Sequence, residues 1–356
     1  MLQLVYQYFR RVLVVQYDET QFEKLWCDFF AEVQDACWIA RGVANLRNFQ
    51  SQENRIDLRD GVTIRGRSQA ELASLGFEKP VWERIIEDWR TPGSSSFVLI
   101  AEHCFVKQPD NLILTDTANP TSKALRAIQA LRLLAPGSIG IGPMWHTRVA
   151  RFNPGMGGLS STGISIPTVG SPYHWSAEVQ RSYGTLYDAL ARLEKEGYGK
   201  SPGNLQIALQ SFVSSYDRWP TFAHSKLLDL ITSLEALLGS ETEIAFRLSF
   251  RVTALIAADD QRRGELLKLV KGFYDTRSRI VHGGAISKKH QDRLQQIEEL
   301  AEIVRRLLRS FVGIATAPVS GYKRSFWQEE LDAALLDATK REKLREALKL
   351  TDLSKH

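Results

Sequence analysis

The stretch "FYDTRSRIVHGG", residues 273–284, sets Arg277 five positions before His282 and closes on two glycines. Those two side chains suit one kind of chemistry. Histidine titrates near neutrality and can give or take a proton. Arginine offers a rigid fork of donors that matches a phosphate. Cutting RNA by transesterification needs a proton removed from a 2′-hydroxyl and charge stabilised on the phosphate, and it requires no metal or other cofactor. On this reading His282 is the general acid/base, Arg277 stabilises the phosphate, and Ser278 orients them. Lys271, Arg279, Lys288, Lys289 and Arg293 crowd the same neighbourhood and make a candidate surface for an RNA backbone. The bland readings are a structural ion pair or cap for Arg277 and His282, and a solvated helix face for the lysines and arginines.

The elements that must position these groups are helices. "RGELLKLVKGFYDTRSRIV" reads as one helix ended by Gly283-Gly284, since glycine is the natural residue just past a helix end. His282 then lies near the C-terminus, where the helix dipole favours the charged imidazolium. Positions five apart sit about 140° apart around an ideal helix, so a single straight helix splays the two side chains. Unwinding at the glycines, or a partner chain, would bring them together. Tyr274, one turn before Ser278, reads as a packing residue, and Glu235 with Arg251 reads as a structural polar pair.

The chain divides by character. Residues 1–175 read as a mixed α/β domain of unknown role, in sensing or substrate selection. A helical pattern runs over about 19–46, and another follows Pro80. "SSFVLIAEHCFV" (95–106) and "GSIGIGPMWHTRVARF" (137–152) read as strands, rich in β-branched and aromatic residues. Between them "TSKALRAIQALRLLAPG" reads as a helix stopped at Pro136-Gly137, and "NPGMGGLSSTGISIPTVGSPY" as a long loop. Residues 176–356 read as all-helical, with a C-terminal helical extension. "SETE" (240–243) has the form of a capping box, Ser240 capping and Glu243 reaching back. One long helix is expected over about 287–314 and a charged one over about 325–350. The fold class is therefore α+β.

Composition narrows the classes. A net charge of +5 and a pI near 9.0 are compatible with nucleic acid. Cys27, Cys37 and Cys104 show no CxxC spacing, which speaks against a cysteine zinc site and for a reducing, cytoplasmic setting. No apolar run is long enough for a membrane span, and the N-terminus lacks the order of a signal peptide. Other motif-like stretches carry less. "GYGKS" (197–201) lacks the earlier glycine and the preceding strand of a phosphate-binding loop. "GMGGLSSTG" lacks strand-loop-helix context. His103, His146 and His174 lack ligand spacing and read as structural. "WHTRVARF" reads as a half-buried strand. Arg218 and His224 repeat the arginine-histidine spacing loosely, but Pro220 between them breaks any helix.

Taken together, "FYDTRSRIVHGG", with a Tyr before an Arg-Ser pair and a Gly after the His, resembles the motif of the Apea-like branch of the HEPN superfamily. "LLDLITSLEALLGS", which includes Glu235, and "ETEIAFRLSFRVTALIA" are similar to that branch's upstream helices. The similarity covers roughly residues 222–312. It implies an all-α HEPN-type bundle, a homodimer with a composite active site, and metal-independent endoribonuclease activity on RNA in antiphage defence or as a toxin. An antitoxin or regulatory partner fits the same picture. Two other roles stay open: a non-catalytic HEPN scaffold for dimerisation or nucleotide binding, and a nucleic-acid sensor with a basic, aromatic groove between residues 95 and 175. Many HEPN nucleases carry Asn, Asp or His after the arginine; Ser278 departs from that.

Overall fold

In a computed structural model the described residues are 18–35, 37–68, 94–106, 120–146, 161–162, 170–197, 204–217, 223–239, 242–257, 259–316 and 327–349, with isolated positions 70 and 83. Expectations for the first 17 residues, the helix after Pro80, "GYGKS" beyond Gly197, most of "GMGGLSSTG", the end of "WHTRVARF", Arg218, Pro220 and Ser240 lie outside them. The chain forms two compact units. One comprises Met1–Arg47, Gln52–Ala127 and Ile141–Ser165; the other comprises Asn48–Ser51, Ile128–Gly140 and Ile166–His356. The combination is α+β.

The first unit holds helix α1 (Glu19–Gln34) and strands β1 (Cys37–Arg47), β3 (Arg55–Asp57), β4 (Val62–Gly66), β5 (Ser94–Val106), β7 (Met144–His146) and β8 (Ser161–Thr162). They make an antiparallel sheet in the order β3-β4-β5-β1-β7-β8. The expected helix over 19–46 is therefore corrected: it ends at Gln34, and the rest is β1. A strand wins there because β1 pairs with β5 from Cys37↔Val106 to Arg47↔Ser94, a non-local ladder that local periodicity does not reveal. The expected strand at 95–106 is β5. Turn chemistry is clear between β3 and β4, where Asp60 (φ 58°) and Gly61 (φ 74°) are both left-handed and the Val62 N–H donates to the Arg59 carbonyl. Helix α2 (Pro120–Leu134) opens on proline, and it stops before Pro136 where the sequence predicts. Its Lys123, buried, ties that turn down: Nζ reaches the Asp60 carboxylate at 3.0 Å and donates to the Asp60 and Glu102 carbonyls at 2.9 Å each.

Among its described residues the regular structure of the second unit is mainly helical, with the short pair β2 (Phe49–Gln50) and β9 (Tyr173–His174). Strand β6 (Gly140–Ile141) falls at the boundary between the two units. The helices are α3 (Ala177–Glu196), α4 (Leu205–Asp217), α5 (Ala223–Leu238), α6 (Ile244–Ile256), α7 (Asp260–Val281), α8 (Lys288–Gln295), α9 (Ile297–Thr316), α10 (Trp327–Leu336) and α11 (Ala338–Ala347). Helix α9 runs through the core with Leu300, Val304, Leu308 and Phe311 fully buried, packed against α3, α4 and α5. The apolar face of α5, from Leu227 through Leu238, is buried likewise. Helices start where short polar side chains cap them: the Ser176 hydroxyl accepts from the Val179 N–H, and the Asp259 carboxylate accepts from the Arg262 N–H.

Three details depart from the sequence reading. The helix expected over 287–314 breaks at Gln296 into α8 and α9. The charged terminal helix breaks at Asp337, whose carboxylate caps α11. Glu243 does not occupy the third helical position that the expected capping box requires. It is itself the N-cap of α6, left-handed at φ 51°, and its carboxylate sits near Arg247. Among the described residues no helix is long and apolar enough to cross a membrane.

Candidate active site

The motif lies at the C-terminal end of α7, as the glycines predict. The termination is a Schellman motif: the Gly284 N–H donates to the Arg279 carbonyl at 2.9 Å and the Gly283 N–H to the Ile280 carbonyl at 3.2 Å. Gly283 takes the left-handed conformation, φ 68°, that this closure demands. His282 is the C-cap and is exposed; its N–H still makes the helical bond to the Ser278 carbonyl at 3.0 Å. The glycine unwinding thus begins after His282. Within one chain Arg277 and His282 keep the wide angular separation of an intact helix.

Arg277 is half-buried and leans on α5. Its Nη2 lies 3.6 Å from a Glu235 carboxylate oxygen, beyond hydrogen-bond length, and its guanidinium stands 5.8 Å from the centroid of the Tyr274 ring. Burial, and next the Glu235 charge, push the Tyr274 phenol above the usual tyrosine range, while Arg277 opposes them. Tyr274 is therefore more than the packing residue the sequence suggested: it is the third member of a Glu235–Tyr274–Arg277 cluster. Arg277 Nε, meanwhile, is buried with no hydrogen-bond partner among the described residues.

That arrangement corrects the expected pairing of Glu235 with Arg251. Arg251, wholly buried on α6, instead meets Asp332 of α10, with Nη2 and Nε at 2.7 and 2.9 Å from one carboxylate oxygen, and Nη1 donates to the Leu238 carbonyl at 2.7 Å. Arg247 joins the same carboxylate. Helix α5 offers Glu235 to α7 and its last carbonyls to α6.

The other expected residues divide. Ser278 meets His282 through its backbone carbonyl. Lys271, Arg279, Lys288 and Lys289 are exposed. Arg293 is half-buried: its guanidinium lies over the Phe273 ring at 5.5 Å and donates to Gln296, which locks α8 against α7. The same junction holds a contact the sequence reading missed, between the buried Thr276 hydroxyl and His290 Nδ1 at 2.9 Å. Of the histidines set aside as structural, His103 stacks edge-on against Phe105, and His146 lies within hydrogen-bond distance of Thr121. Among the described residues no three His, Cys, Asp or Glu side chains gather as a metal site would require.

Comparison with known proteins returns nothing: no family model, no curated protein and no solved structure matches the chain. The site must be read on its own chemistry.

Proposed function

We propose that the chain is a metal-independent endoribonuclease of the HEPN type, with His282 as general acid/base and Arg277 as the phosphate-stabilising group. The observation that carries this reading is the end of α7. It presents an exposed histidine at a helix C-terminus and, on the same helix, an arginine held among the described residues by one long, half-buried ion pair and the Tyr274 ring. A group held that loosely can exchange its carboxylate for a phosphate at little cost. The exposed Lys271, Arg279, Lys288 and Lys289 would supply sequence-independent contacts to the backbone. Because the two side chains are splayed within one helix, the reading requires a second copy of the chain, so that Arg277 of one protomer and His282 of the other share a cleft. Growth arrest through RNA cleavage, in defence against phage or as a toxin restrained by a partner, is the setting that fits.

The test is induced expression of wild type, His282→Ala and Arg277→Ala, with growth and total RNA followed, and with folding and oligomeric state checked for all three. RNA loss in wild type alone supports the reading; equal behaviour of all three, with all folded, overturns it. The Arg277–Glu235 ion pair also favours a second reading, in which the motif is structural and the helical unit is a non-catalytic scaffold. That reading expects the two variants to leave any RNA phenotype unchanged.

A further inference from the structure

The second unit holds a cavity of about 560 Å3 that takes no part in the α7 site. One wall is apolar, from Leu134, Pro136 and Val179. To the same lining α9 contributes a row of guanidiniums, Arg305, Arg306 and Arg309, within about one turn of helix. Three carboxylates also face it, Glu178, Glu298 and Glu302. Glu302 pairs with Arg305, and Glu298 pairs with Lys226, which brings a fourth cation to the rim against those three acids. Arg305 is anchored at the back: Nε donates to the Arg132 carbonyl at 2.8 Å and Nη2 to the Tyr216 hydroxyl at 2.5 Å. Burial works against its charge, but Tyr216 and Glu302 outweigh that and hold its pKa above the ordinary arginine value.

Arg309 is placed differently. Among the described residues its one hydrogen bond is a long one, from Nη1 to the Leu134 carbonyl at 3.3 Å. Burial pushes its pKa below the ordinary arginine value, with Glu302 and Glu178 only partly offsetting it and Arg305 and Arg306 adding to it. A half-buried guanidinium with so little to satisfy its fork has donors to spare for a further acceptor. Nearby, the Tyr173 hydroxyl is fully buried, within the electrostatic reach of Arg305 and Arg309, and without a hydrogen-bond partner among the described residues. The N-terminus of α3, at Ser176, adds its positive dipole end to the cavity lining.

We propose that this cavity is a binding site for a small organic oxyanion, a phosphate or carboxylate group on an apolar body, with Arg309 gripping the anion and the Leu134–Val179 wall receiving the body. The volume is in the range of small-molecule sites. An anion alone would leave the apolar wall wet, and an apolar molecule alone would strand the guanidiniums. The site is independent of the ribonuclease reading, which can fail without affecting it.

The test is calorimetric titration of the full chain with phenyl phosphate, benzoate, inorganic phosphate and benzyl alcohol. Saturable binding is expected for phenyl phosphate, benzoate or both, tighter than for inorganic phosphate, with none for benzyl alcohol; which of the first two binds tighter separates phosphate from carboxylate. Arg309→Gln should weaken binding on the order of tenfold or more, as loss of a charged hydrogen bond does. Glu178→Gln, which removes an opposing carboxylate at the exposed rim, should tighten it. Ser182→Trp, at an exposed position on the rim, should block the cavity without disturbing the core and serves if Arg309→Gln does not fold. No saturable binding of phenyl phosphate or benzoate, tighter binding of inorganic phosphate, binding untouched by Ser182→Trp, or weaker binding in Glu178→Gln would each overturn the proposal.

Discussion

Two arginines, Arg251 on α6 and Arg277 on α7, both meet the C-terminal end of the same helix, α5, and are held in opposite ways. Arg251 is fully buried, bonded to Asp332 and to the Leu238 carbonyl, and Arg247 shares its acid. Among the described residues Arg277 has one acid, at 3.6 Å, and its Nε has no partner. The first is a fixture that ties α6 to α10. The second is a charge kept near the surface at modest cost. Residue type is identical, and what distinguishes structural from available is how many of the five guanidinium donors the fold has already used.

The contrast can be broken by measurement. Arg251→Met should cost about 3 kcal/mol or more of unfolding free energy, because Asp332 and the end of α5 lose their buried partner. A loss below about 1 kcal/mol by chemical denaturation would remove the distinction. Next in size is Gly283→Ala. A methyl there meets nothing within 4 Å, so the cost is conformational alone, about 1 kcal/mol for a left-handed L residue. Should it cost nothing, the Schellman closure is not what holds His282 at the helix end. Arg277→Ala should cost less than about 1 kcal/mol, as expected for a half-exposed pair, while abolishing any RNA cleavage. A large loss of stability there would place Arg277 with Arg251.

The smallest effect is spectroscopic. The Tyr274 phenol, read as the ultraviolet difference between wild type and Tyr274→Phe, should ionise at a higher pH than free tyrosine. In Glu235→Gln it should move back down, though not fully, since burial is the larger cause and remains. The sign for stability follows. A raised folded pKa means the contribution is complete below the free tyrosine value of about 10 and is lost as pH climbs through the raised one. An unchanged titration in Glu235→Gln would show that the Glu235–Tyr274–Arg277 cluster does not form.

What local chemistry controls was legible in the chain itself. Gly283-Gly284 ends α7 because only glycine takes the left-handed closure without strain. Pro120 and Pro136 bracket α2, and the apolar face of α5 from Leu227 to Leu238 declares a core helix. The candidate residues Arg277 and His282 were readable for the same reason, as spacing along one helix. Pairings were not. Residues 37–47 became a strand because β5, far away in sequence, offered a ladder. Glu235 turned to Arg277 rather than Arg251 because the packing of α5 decides which neighbour each face meets. The arginines of "IVRRLLRSF" come to line a cavity only because Leu134, Pro136 and Val179, distant in the chain, share that lining. Backbone dihedrals and helix periodicity are short-range and are written residue by residue. Which charge meets which is settled only when helices distant in the chain pack, since that alone decides which groups lose water together.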